Sequence, residues 1–180
     1  MEYTCKNSVK EKETTLQLHT YDMVLISESQ KYTIPYPDVI ELRLNKKGNL
    51  YFLHLHTLTF GTILITSQSF NQTGERVDQS RAYLTFARVL HMHLQEKSNA
   101  QYFTGFRVSR LIAVNGSWAI LVSVFFLVEE YFDVLRGNTL LVSLLIFLFG
   151  TLLALGLQLN QWPRPYHPTN IPLHMLPAAS

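Results

Sequence analysis

Residues 33–66, TIPYPDVIELRLNKKGNLYFLHLHTLTFGTILIT, carry the pattern that decides the fold of the first half of the chain. Within them, Ile34–Leu44 contains two prolines, which suit a strand entry or an edge strand, and then alternates apolar with polar residues. Residues 46–49, KKGN, supply turn chemistry, so Leu50–Leu58 is predicted as the second strand of a hairpin. Gly61–Thr66 follows as a further strand. One face of the second strand carries Tyr51, Leu53, Leu55 and Thr57, and the other carries Phe52, His54 and His56.

Apolar periodicity on both sides of this segment extends the pattern. Upstream, Leu16, Leu18 and Tyr21–Ile26 are typical of strands. Downstream, Asp78 is the predicted N-cap of a helix that runs to about Glu96. A helix with one apolar stripe is not stable alone, so it needs a sheet to lie on. The stripe consists of Tyr83, Phe86, Ala87, Leu90 and Leu94.

Consecutive antiparallel strands followed by one amphipathic helix resemble the pleckstrin-homology-like (PH-like) domains that bacteria attach to membrane hairpins. The resemblance rests on TIPYPDVIELRL at 33–44, which is similar to an I-P-Y-x-D-I strand of such domains, on the hairpin after it, and on the helix Asp78–Gln95. Between the first strands the chain has Tyr21 and Asp22 where lipid-binding members have basic residues, so the resemblance does not support phosphoinositide binding. The basic residues Arg43, Lys46 and Lys47 leave two alternatives open, contact with acidic headgroups or an ordinary solvated hairpin tip.

The second half of the chain contains two apolar stretches, Leu111–Val128 and Thr139–Leu159. Each is close to the roughly 20 apolar residues that a helix needs to cross a bilayer, and neither contains an ionisable side chain. Arginine and lysine flank the pair on the outer sides, whereas the connecting loop has Arg136 alone beside its acids. We therefore expect an integral membrane protein with two spans and both termini cytoplasmic, and the resemblance implies a bacterial inner membrane.

The predicted fold class is α+β, with a small antiparallel PH-like β-barrel or sheet capped by one C-terminal helix. A two-helix transmembrane hairpin and an extended proline-rich tail follow. The parts are a polar N-terminal segment (1–13), a PH-like cytoplasmic domain (14–97), an interfacial linker (98–110), a first transmembrane helix (111–132), a short loop (133–138), a second transmembrane helix (139–161) and a proline-rich cytoplasmic tail (162–180).

Aromatic and small residues around the apolar stretches define two further sets. Aromatic rings interleaved with arginines suit the headgroup layer of a membrane. Small and amide side chains inside the stretches suit close packing of helices. The predicted membrane-interface residues are Tyr102, Phe103, Phe106, Arg107, Arg110 and Trp162, and the predicted helix-packing residues are Asn115, Gly116, Gly150 and Ala154.

The tail from Trp162 to Ser180 holds five of the seven prolines of the chain. Proline at this density prevents helix and favours an extended strand. The tail also contains apolar anchors, so it is either loose or docked along a protein groove of its own domain, of another copy or of a different subunit. The predicted docking residues are Trp162, Tyr166, Ile171, Leu173, Met175 and Leu176.

Charge and reactive residues argue against several functions. A net charge of +2 is too small for a nucleic-acid-binding face, and the single Cys5 excludes an internal disulfide and a cysteine-based zinc cage. His54 and His56 share a strand face, but no third metal ligand is evident, and His91 and His93 face different ways on a helix. No catalytic or phosphate-binding motif occurs, so we expect no catalytic, metal or cofactor site and disfavour an enzyme.

Three function classes remain from these patterns. The first is a non-enzymatic membrane protein that acts as an accessory or scaffold subunit through its PH-like domain and proline-rich tail. The second is a module that responds to lipid headgroups, and the third is a self-assembling pore or transporter component. The expected partners are membrane lipids, other membrane protein subunits or a second copy of the chain, and not nucleic acid. The first class is preferred because the sequence offers contact surfaces and almost no reactive groups.

Overall fold

The computed structural model describes residues 1–28, 30–71, 73–132, 144–145, 147–152, 156 and 162–178. It divides the chain into two compact units. The first unit comprises Met1–Thr104 together with Arg164–Ser180, and the second comprises Gly105–Pro163. The C-terminal tail therefore belongs to the same unit as the N-terminal strands.

The first unit begins with a four-stranded antiparallel sheet whose strands follow one another in chain order. The strand β1 falls within the predicted polar segment 1–13, and its Cys5 is fully buried. Burial raises the pKa of the Cys5 thiol to about 11, so it is a neutral, packed thiol and not a reactive one. The strands are β1 (Glu2–Cys5), β2 (Thr14–Leu18), β3 (Asp22–Ser27) and β4 (Gln30–Pro35).

A second sheet is built on the antiparallel strands β5 (Val39–Lys47), β6 (Leu50–Thr57) and β7 (Gly61–Thr66). The run predicted as one strand from Ile34 to Leu44 is divided between β4 and β5 by a 3₁₀ turn at Tyr36–Asp38. Proline fixes φ and lacks an N–H, so Pro35 and Pro37 favour this turn over a continuous ladder.

The alternation predicted for β6 is confirmed by burial. Leu53 and Leu55 are fully buried, Thr57 is buried, and Tyr51 packs against the core from a partly buried position. The face that carries Tyr51, Leu53, Leu55 and Thr57 therefore points to the core, because successive side chains of a strand point to opposite sides of the sheet.

A short hairpin of β8 (Gln68–Phe70) and β9 (Arg76–Asp78) leads into helix α1 (Ser80–Lys97). The predicted N-cap, Asp78, lies one residue too early, since Gln79 occupies the N-cap position, where its side chain makes no capping hydrogen bond. The Asp78 carboxylate nevertheless accepts a hydrogen bond from the backbone N–H of Ser80 at 3.1 Å. All five residues of the predicted stripe are fully buried, and Leu84 and His91 join them.

Two antiparallel sheets followed by a helix are the arrangement that the resemblance to PH-like domains implies. Helix α1 covers the core, and its Phe86 and Tyr83 contact the ring of Tyr3 with centroids 5.2 and 6.3 Å apart. The sheet-rich α+β part of the prediction is therefore confirmed.

Two further strands extend the second sheet at β5. After α1, β10 (Gln101–Thr104) pairs in parallel with β5, and β11 (Arg164–Pro165) pairs antiparallel with β10. The sheet order is therefore β11-β10-β5-β6-β7. Residues 98–110, predicted as an interfacial linker, thus include a strand of the domain itself.

The second unit contains helix α2 (Val108–Phe132), and residues 147–152 are also helical. The indole N–H of Trp118 donates to Thr151 Oγ1 at 3.0 Å, and the ring of Phe147 lies 6.0 Å from Trp118 and 4.9 Å from Phe125. Apolar side chains of α2 such as Ile112, Ile120 and Leu127 are exposed.

The predicted transmembrane hairpin is not supported. In the part of the chain that the structure describes, no helix combines the length and the apolar content needed to cross a bilayer. The described residues of 111–132 and 139–161 therefore do not support the two predicted spans. The loop 133–138 and residues 139–143, 146, 153–155 and 157–161 lie outside the described residues. The same finding overturns the predicted integral-membrane function, in its accessory-subunit form and in both alternatives, and the predicted localisation in a bacterial inner membrane with cytoplasmic termini.

Candidate functional site

The proline-rich tail packs against its own domain. The backbone N–H of Tyr166 donates to the carbonyl of Tyr102 at 3.1 Å, which continues the contact between β11 and β10. Ile171 and Met175 pack on the core from partly buried positions, and Leu176 is 4% exposed. The tail is therefore one wall of the domain surface beside α1.

His91 of helix α1 lies beneath this wall. Its Nδ1 is 2.6 Å from the carbonyl oxygen of Ala87, and its Nε2 is 2.7 Å from the hydroxyl of Tyr166. A carbonyl can only accept, so Nδ1 carries the proton and Nε2 accepts from the Tyr166 hydroxyl. His91 is 2% exposed, and this burial lowers its pKa to about 4, against the smaller opposing effect of the Ala87 hydrogen bond. The imidazole is therefore neutral near neutral pH.

Two tyrosines complete the cluster around His91. The ring of Tyr102 is stacked on His91 with centroids 5.7 Å apart, and it meets the Tyr166 ring edge-on at 5.8 Å. Burial raises the pKa of Tyr102 to about 12, and burial together with Tyr102 and Tyr83 raises the pKa of Tyr166 further. All three groups are thus neutral, and they hold the tail to α1 by hydrogen bonding and aromatic contact.

A groove of about 440 Å³ runs between α1 and the tail. Its deep positions are His91 and Leu176, which are nearly inaccessible to solvent. At its rim, Met92 is 53% exposed and Leu173 is 77% exposed, although both are apolar. Arg88 and Gln95 also lie along the groove on α1, with Ile171 on the tail.

The groups that line the groove suit non-covalent contact with another molecule. Both ring nitrogens of His91 are engaged, which leaves neither available to a metal or to a proton of a bound molecule. The described residues contain no group of three or more His, Cys, Asp or Glu side chains that could hold a metal ion. The groove offers a flexible thioether, aliphatic side chains and one guanidinium group.

The structure separates the predicted membrane-interface residues. Tyr102 is buried in β10, and the ring of Phe103 lies 5.0 Å beneath the guanidinium carbon of Arg43. The other described members, Phe106, Arg107 and Trp162, belong to the second unit, and the side chain of Arg110 is not among those described.

The predicted helix-packing residues also differ in their surroundings. Asn115 Nδ2 donates to the carbonyl of Leu111 in its own helix at 2.9 Å. A Cβ added at Gly116 would meet nothing within 4 Å, whereas one at Gly150 would lie 3.8 Å from the Trp118 ring. Gly150 therefore lies beside the Trp118 ring, whereas Ala154 lies outside the described residues, and the role of both in helix packing stays a prediction.

The predicted docking residues divide between the two units. Tyr166, Ile171, Met175 and Leu176 pack on the domain, and Leu173 is exposed beside the groove. Trp162 is half exposed in the second unit.

Two of the three basic residues considered for headgroup contact, Arg43 and Lys46, have partners inside the domain. Arg43 is 7% exposed, and its Nε donates to Glu41 Oε1 at 3.0 Å. The ammonium of Lys46 lies 5.0 Å from the ring of Tyr51. Arg43 is consequently a structural residue of the sheet, since a buried guanidinium requires a paired carboxylate.

His91 is the site residue that the sequence reasoning missed, although a signal for it exists. It follows Ala87 by four residues and precedes Leu94 by three, which places it within the predicted buried stripe. Because His91 was considered only together with His93, as two polar residues, its place in the buried stripe was missed.

Comparison with known proteins adds little to this geometry. No protein-family model matches the chain, and no curated protein matches it. The solved structure of the Spt16D–Pob3N heterodimer contains a chain that matches with 8% identity and a TM-score of 0.39, over 60% of this chain and 56% of that one. The chain thus spans little more than half the length of that neighbour.

Proposed function

We propose that the PH-like domain is a non-enzymatic binding module that holds an extended peptide segment of another protein in the groove between α1 and the tail. The observation that carries this proposal is the pair of exposed apolar side chains, Met92 and Leu173, on opposite walls above a buried floor. Large apolar groups that flank a concave surface are typical of contact sites.

The polar groups along the groove favour an extended peptide segment as its occupant. The wall on the side of the tail consists of a turn at 168–170 and a 3₁₀ helix at Leu173–Met175, so the tail itself is not extended over these residues. Exposed Gln95 on α1 and exposed Asn170 on the tail carry amides that can hydrogen-bond to a peptide backbone. Met92 can adapt to different apolar side chains because a thioether chain is flexible and polarisable.

Glutamate at the two rim positions should abolish most of this binding. Peptides selected from a random library on the full-length chain are expected to bind the double variant Met92→Glu, Leu173→Glu at least about tenfold more weakly, because the contact would bury unpaired carboxylates. Binding of the selected peptides is measured by fluorescence anisotropy.

Leu58→Glu is the matched control, since Leu58 is 69% exposed outside the groove. It adds one carboxylate to the surface and should leave affinity unchanged. Selection of no peptide, or equal binding by the double variant and the parent chain, would contradict the proposed function.

A further inference from the structure

The charge of the groove comes from one side chain. Among the described residues that line it, Arg88 is charged, none is acidic, and His91 is neutral. Arg88 is exposed, and in the described ranges no carboxylate pairs with it. The groove therefore presents an uncompensated positive charge to whatever occupies it.

The spacing along α1 defines where this charge lies relative to the apolar contact. Arg88 and Met92 are four residues apart, so they lie on one face of the helix, about 6 Å from each other along its axis. In an extended peptide, side chains two residues apart point to the same side and are roughly 6.6 Å apart. A carboxylate and an apolar side chain separated by one residue can therefore meet Arg88 and Met92 together.

Resting on the function proposed above, we propose that the groove selects extended peptides in which Asp or Glu stands two residues from a large apolar residue. The guanidinium of Arg88 recognises the carboxylate, and Met92 with Leu173 encloses the apolar side chain. The ion pair lies at the solvent-exposed rim, so its contribution to the binding free energy is modest. It acts mainly on the choice between acidic and neutral peptides.

A peptide pair with Glu or Gln at the acidic position tests this inference on the full-length chain. Replacing Glu by Gln should weaken binding about threefold to fivefold at low salt, and Arg88→Ala should remove that difference. Arg88→Glu should reverse the preference, so that a peptide with Lys at the same position binds better than the Glu peptide. The advantage of Glu should also shrink as salt is added.

Lys47→Ala is the matched control, because it removes one positive charge from an exposed position outside the groove. It should leave the difference between the Glu and Gln peptides unchanged. Groove-dependent binding with no preference for Glu would overturn this inference and leave the proposed function standing. Loss of all peptide binding in the parent chain would instead overturn the proposed function.

Discussion

Acidification should destabilise the domain by about 3 kcal/mol through His91 alone. The pKa of His91 is lowered to about 4 in the folded protein by burial, whereas an unfolded histidine titrates near its ordinary value of 6.5. The neutral His91 imidazole of the folded protein therefore contributes its full stabilisation at pH values above the pKa of histidine in the unfolded chain. As the pH falls towards the folded pKa, the unfolded chain takes up the proton first, and that stability is lost.

Urea unfolding followed by circular dichroism between about pH 7 and pH 4 measures this loss. His91→Gln retains a hydrogen-bonding amide but does not titrate, so its stability should depend less steeply on pH than that of the parent chain. His93→Gln is the control: burial and Lys97 lower the pKa of His93 as well, but this residue is less buried and should account for less of the slope. If the free energy of unfolding depended on pH in the same way in the parent chain and in His91→Gln, His91 would not be the source of the acid destabilisation.

Leu176→Ala should detach the tail from the domain. Leu176 is 4% exposed and belongs to the core cluster, so truncation is expected to cost about 2–5 kcal/mol, limited by the free energy with which the tail docks. Once detached, the tail exposes Tyr166, which packs on the core in the docked state, to chymotrypsin. Faster cleavage within the tail, measured by mass spectrometry, is therefore the expected result.

Leu173→Ala provides a control with the same chemical change three residues away. Leu173 is 77% exposed, so its truncation should leave both stability and the cleavage rate nearly unchanged. Equal cleavage rates for the two variants would show that Leu176 does not hold the tail. Loss of peptide binding in Leu176→Ala would further be expected, because the tail forms one wall of the groove.

Local periodicity was sufficient to predict strand β6 and helix α1. The alternation of β6 and the three-and-four spacing of α1 each describe one apolar face, and a single buried face is specified by residues that are near in sequence. The prolines at 35 and 37 were interpreted as suiting a strand entry or an edge strand, whereas the structure has a 3₁₀ turn at Tyr36–Asp38 that divides the predicted strand.

Amino-acid composition predicted the structure less well than apolar periodicity did. The interleaved aromatic and arginine residues of 100–110 suited a headgroup layer, yet Gln101–Thr104 forms a strand that pairs with β5. The same side chains are compatible with both environments, because aromatic residues also favour strands. The apolar stretches were likewise taken for membrane spans, a prediction that the described helices do not meet.

The sequence by itself determined the hairpin of β5 and β6, the strand β7 and the apolar stripe of helix α1, since these follow from turn chemistry and from spacings of two to four residues. Only the tertiary structure decided that the tail lies on α1, that His91 accepts a hydrogen bond from Tyr166, and that a groove remains between them. His91 and Tyr166 are 75 residues apart in sequence. Such a contact depends on the shape and packing of the whole core, which no local pattern encodes.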